Sequence, residues 1–111
     1  MSLKLAVATI LAATATAAVA GPLEDGRKLY AIGEASEQFC PGISFTFTAK
    51  VALKGAFGYS PPASEPEFSL MMDEKEKIIQ TYRKVGNRSA VCDYVMNEYG
   101  PGAKIELLAF D

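Results

Sequence analysis

Apolar positions along this chain repeat with different periods in different stretches. Between Gly26 and Cys40, the residues Leu29, Ile32, Phe39 and Cys40 share one face at a spacing near 3.6, interrupted by Ser36. Glu24 and Asp25 fall in the first turn, where they complement the helix dipole. The pattern predicts a helix over Asp25–Phe39, weakened by Gly33 and stopped by Pro41-Gly42. Gly21 to Asp25 is expected to lead into it as an exposed segment, since Pro22 and Gly26 argue against an earlier start.

From Ile43 to Gly58 the pattern changes. Ile43, Phe45 and Phe47 alternate with Ser44, Thr46 and Thr48, which is a strand signal, but Val51, Leu53, Ala56 and Phe57 abandon it. The reading is a few extended residues feeding a helix from about Thr46 to Phe57, with Gly58 as its stop. If the whole stretch is a strand, Ile105–Phe110 is its natural partner.

Pro61-Pro62 forces a loop after Tyr59. Ser64 and Glu67 then stand three residues apart as a capping box, with Pro66 in the first turn. Phe68, Met71, Met72, Ile79, Tyr82 and Val85 follow as one helical stripe. Arg83 and Lys84 suit the C-terminal end of the dipole, and Gly86 closes the helix. Asn87 or Ser89 caps a further helix carrying Cys92, Val95, Met96 and Tyr99, and Gly100-Pro101-Gly102 ends it. Ala103–Asp111 is apolar enough to pack down as an extended tail across the helices. The fold class is therefore mainly α: a small four-helix domain with one disulfide and a short extended C-terminal tail.

Export decides how the cysteines are read. Met1–Ala20 holds a single charge, Lys4, then an uncharged apolar run ending in Ala18-Val19-Ala20, the pattern of a signal peptide cleaved before Gly21. The run of about 16 residues is shorter than the roughly 20 that span a bilayer. Residues 1–20 are thus a cleaved signal peptide and 21–111 a single domain in the periplasm or secreted. Two cysteines in a small exported chain point to one bridge, Cys40–Cys92. Closing that loop stabilises the fold by roughly 4 kcal/mol in the chain-entropy model. With 51 residues between them, the pair does not have the spacing of a redox motif.

Cys40-Pro41-Gly42 at a helix end, and Cys92 followed seven residues on by Tyr99-Gly100-Pro101-Gly102, resemble the small exported helical proteins common in alphaproteobacteria. The resemblance implies a one-disulfide helical domain outside the cytoplasm and carries no active site.

Composition narrows the chemistry. Without Lys4 the chain has 10 basic and 13 acidic residues, a formal net charge of −3. No basic cluster exceeds two adjacent residues, which disfavours nucleic acid and anionic membrane as partners. There is no histidine, so histidine-based nucleophilic sites are excluded, and with the cysteines bonded most zinc sites are too. No phosphate-binding glycine loop occurs, and Asp73-Glu74-Lys75-Glu76 reads as a solvated helix face. Met71, Met72 and Met96 read as filling an irregular core. No cofactor and no metal are expected.

These readings point to a non-enzymatic structural or protein-interaction domain whose partner is another periplasmic protein. The alternatives are an acid-type periplasmic holdase chaperone, and a small enzyme or enzyme inhibitor. The candidate contact site is the loop where Phe57, Tyr59, Pro61 and Pro62 meet Phe68 at the start of the long helix. Tyr59 is expected to face water, so that Phe57→Ser or Tyr59→Ser disrupts binding and leaves the fold intact.

Overall fold

A computed structural model describes residues 22–60 and 65–111; the expected signal peptide, the loop prolines Pro61 and Pro62, and the cap residue Ser64 lie outside them. Four helices carry the fold: α1 (Pro22–Phe39), α2 (Phe47–Phe57), α3 (Glu65–Val85) and α4 (Arg88–Tyr99). Two short strands, β1 (Ile43–Phe45) and β2 (Leu108–Phe110), complete it. The architecture is the mainly helical one expected, with the C-terminal tail short and extended.

The first helix starts earlier than its pattern suggests. Pro22 opens it, because a residue in the first turn has no intrahelical use for the N–H that proline lacks. The expected leader from Pro22 to Asp25 is therefore helical. The buried face is also not the one that Leu29, Ile32 and Phe39 mark. It consists of Gly26, Ala31, Gly33, Ala35 and Ser36, while the three larger residues sit half-buried at its edges. Small residues let neighbours approach closely. A Cβ on Gly33 would stand 2.7 Å from the Phe45 ring, so the glycine that weakens the helix in propensity admits an aromatic side chain against its backbone. Ser36, a break in the apolar pattern, is fully buried, its hydroxyl 3.3 Å from that of Tyr82.

The ambiguous stretch resolves into both of its candidate forms. Ile43–Phe45 is a strand, with Ile43 and Phe45 buried. Thr46 then caps α2, its hydroxyl accepting from the Ala49 N–H at 3.0 Å, and Gly58 ends the helix in the left-handed region at φ 70°. The tail packs Leu107 and Leu108 into the core beside α4 and also pairs antiparallel with β1, matching Ile43 with Phe110, Ser44 with Ala109 and Phe45 with Leu108. Asn87 is the cap of α4, its side-chain oxygen accepting from Ala90 N–H at 3.0 Å.

Cys40 and Cys92 are bonded, with an S–S distance of 2.07 Å and Cα atoms 5.7 Å apart. The bridge joins the turn after α1 to α4. Around it lies the main core: Cys40, Ile43, Phe45, Ala49, Leu53, Val91, Val95, Leu107 and Leu108. A smaller apolar cluster, Ala31, Tyr59 and Met71, lies on the side where α1 packs along α3. Arg27 meets Glu67 and Glu74 while Ser36 meets Tyr82, so those two helices run parallel.

Candidate functional site

The loop after α2 is shaped by the helix beneath it. A Cβ on Gly26 would come within 2.7 Å of the Phe57 Cβ and 2.8 Å of the Tyr59 Cβ. That missing side chain lets the end of α2 cross directly over α1. Tyr59 is consequently an interior residue, 2% exposed, packed with Ala31 and Met71 and edge-on to Tyr30 at 5.5 Å between ring centroids. This corrects the expectation that it faces water, and with it the expectation that Tyr59→Ser spares the fold. The sequence offered no cue, because the space for its ring is supplied by Gly26 and Ala31 on a distant segment.

Of the other candidate residues, Phe57 is half-buried over Gly26, and Phe68 is 41% exposed on the first turns of α3. Pro61 and Pro62 are outside the described residues. The structure thus brings Phe57 and Tyr59 together and points the second of them inward.

A polar layer closes this end of the α1–α3 contact. Arg27 Nε donates to Glu74 at 2.7 Å, and its Nη1 donates to Glu67 at 3.4 Å. Burial pulls the guanidinium downward, but its hydrogen bonds and charge attraction to Glu74 and then Glu67 outweigh this and leave it above its ordinary value. Glu67, read from sequence as half of a capping box, has its carboxylate on Arg27. The Tyr59 hydroxyl is buried and finds no hydrogen-bond partner among the described residues. Burial first, then the nearby Glu67 charge, push it up to about 12.

Apolar exposure is concentrated elsewhere. Phe47 is 79% and Val51 53% exposed on α2, whose inner side rests on Ala49 and Leu53. Sequence reasoning missed these two, since apolar residues fall on both faces of α2 and their period does not say which face turns inward. Phe68 and Met72 form an exposed pair one turn apart on α3. Phe110 is exposed at the end of β2, while Leu107 and Leu108 before it are buried. The outward side of α3 is different again: Asp73, Glu76, Lys77, Gln80, Thr81 and Lys84 border an open depression of about 510 Å³. These are solvated side chains of a single helix.

Among the described residues no three His, Cys, Asp or Glu side chains gather as a metal site would need. No described helix is long and apolar enough to cross a membrane. Comparisons of the chain with protein-family models, with curated proteins and with solved structures find no match.

Proposed function

We propose that this chain is a non-enzymatic interaction domain that works in the periplasm or outside the cell and binds another protein beside the start of α3. The observation that carries the reading is the exposed pair Phe68 and Met72, which flanks the packed layer of Tyr59 and Met71. Exposed apolar side chains at the edge of a well-packed layer are what a contact site requires, and binding does not demand a group titrating near neutrality. The Cys40–Cys92 bridge suits an oxidising compartment. The test is capture from periplasmic extract with the immobilised protein. A reproducible partner retained by the wild type and lost with Phe68→Ser/Met72→Ser supports the reading. Equal retention by the folded double variant removes it.

An acid-type holdase is the second reading, favoured by the Arg27 contacts to Glu67 and Glu74. Those ion pairs tie α1 to α3 over Tyr59 and Met71, so losing them loosens the cover of that apolar layer. Binding of an apolar dye that rises sharply in acid supports the holdase, and unchanged binding supports a dedicated binder.

A further inference from the structure

Sulfur is unevenly exposed on this chain. Met71 and Met72 are neighbours in sequence, yet Met71 is 3% exposed, packed with Ala31 and Tyr59, and Met72 is 37% exposed, one turn on from Phe68. Met96 is half-buried on α4 against the main core. Met72 is therefore the one exposed methionine among the described residues, and neither apolar cluster includes it. Composition leaves it with few competitors for an oxidant. The chain has no tryptophan and no histidine, and both cysteines are committed to the Cys40–Cys92 bridge. The thioether of Met72 is then the most accessible soft nucleophile on the described surface.

We propose that Met72 is an oxidation site for hydroperoxides and that its oxidation turns off the contact at Phe68 and Met72. A sulfur lone pair attacks the peroxide oxygen, the S–O bond forms and the O–O bond breaks. Sulfur gives up two electrons, the peroxide takes them, and with hydrogen peroxide the oxygen that leaves departs as water. The product is a sulfoxide, polar where the thioether was apolar, set one turn from Phe68. A partner closing over it dehydrates that oxygen, so binding weakens. The fold is insulated from the change, because Met72 lies outside both clusters. Met71 is placed differently: burial against Ala31 and Tyr59 shields its sulfur from the oxidant. A dithiol-driven sulfoxide reductase reverses the step, supplying two electrons and two protons as the oxygen leaves as water. The effect on binding rests on the contact proposed above, whereas the site itself rests on exposure and composition.

Graded hydrogen peroxide treatment of the protein purified from the periplasm, followed by peptide mass mapping, reads the site. Met72 is expected to gain one oxygen at least about tenfold faster than Met71 and Met96. Retention on a phenyl matrix reads the change in the patch without a partner. It is expected to fall as Met72 converts, with the melting midpoint unchanged. In Met72→Leu the retention is expected not to respond to peroxide. Capture from periplasmic extract reads the effect on binding, and is expected to fall about tenfold or more at full conversion of Met72. Equal rates at the three methionines overturn the proposal. So do a midpoint that drops as Met72 converts, phenyl retention that is constant through full conversion, an undiminished response in Met72→Leu, or capture that persists at full conversion. If the untreated wild type retains no partner, the contact reading fails separately, and the oxidation site stands or falls by the mapping and the phenyl retention.

Discussion

The two apolar clusters of this chain are closed by different means. The larger one draws Cys40, Phe45, Leu53, Val95 and Leu108 from separate elements, and it is fastened by the Cys40–Cys92 bridge and the β1–β2 pairing. Among the described residues the smaller one has only Ala31, Tyr59 and Met71 buried, with Tyr30 and Ile78 packed against it, and its rim is the charged layer of Arg27, Glu67 and Glu74. One region is broad and covalently tied. The other is thin, holds a buried hydroxyl without a partner among the described residues, and borders the exposed pair Phe68 and Met72. A domain of about 90 residues buries only some 60–65% of its unfolded surface, so it has little stability to spare. Concentrating it around the bridge leaves the other end free to expose side chains.

The largest expected effect tests that division. Cys40→Ser/Cys92→Ser is expected to lower unfolding stability by about 4 kcal/mol, since the bridge closes a loop of about 50 residues in the unfolded chain. Denaturant unfolding measures it. A loss below about 1 kcal/mol means that packing alone holds the main core, and the contrast between the two regions then fails.

Next is Tyr59→Ser, with an expected loss of about 3 kcal/mol from a cavity between α1 and α3. Ile79→Ala, at a residue 2% exposed on α3, is expected to cost a similar amount, while Asp73→Ala on the exposed face is nearly neutral. Thermal melts of the three variants check this. A near-wild-type midpoint for Tyr59→Ser places its ring in solvent and dissolves the smaller cluster.

The contrast between regions also explains what the sequence revealed. Helix and turn signals that act locally were legible: a helix start near Thr46, Gly58 and Gly86 as stops, Pro41-Gly42 as a break, and two cysteines as one bridge. On α3 the apolar stripe named the buried Met71 and Ile79, but Phe68, Met72 and Val85 on the same stripe are exposed, so Met72 does not fill the core as expected: the stripe is wider than the face that α1 covers. On α1 the informative residues were the small ones. Gly26 and Gly33 look like helix weaknesses in propensity, yet each is a docking point for an aromatic from a later segment. Tyr59 was misread for the same reason, because its burial depends on Gly26, a residue 33 positions earlier. On α2, apolar residues on both faces left the sequence no means to choose, and the exposed ridge of Phe47 and Val51 was missed.

Alkaline pH probes one tyrosine in each region. Tyr59 in the smaller cluster and Tyr99 against the larger one are both pushed up to about 12 by burial, against 10 in the unfolded chain. Between those values the unfolded state has released the proton and the folded state has not, so stability falls as pH rises from 10 to 12. By pH 11 the loss is about 1 kcal/mol for each group. Denaturant unfolding at pH 9 and pH 11, in the wild type and in Tyr59→Phe and Tyr99→Phe, separates the two contributions. Absence of any alkaline loss places both hydroxyls in water.

The smallest expected effect is the sharpest test of the smaller cluster. Tyr59 buries a hydroxyl that has no hydrogen-bond partner among the described residues. Removing such a hydroxyl leaves the ring packing on Ala31, Met71 and Tyr30 intact and ends the cost of dehydrating an unpaired polar group. Tyr59→Phe is therefore expected to match the wild type or exceed it by up to about 1 kcal/mol at neutral pH, in contrast to the loss from Tyr59→Ser at the same position. The measurement is denaturant unfolding of the two variants beside the wild type. If Tyr59→Phe loses more than about 1 kcal/mol, the hydroxyl has a partner in solution, and the polar layer of Arg27, Glu67 and Glu74 lying around it is the first place to look for that partner.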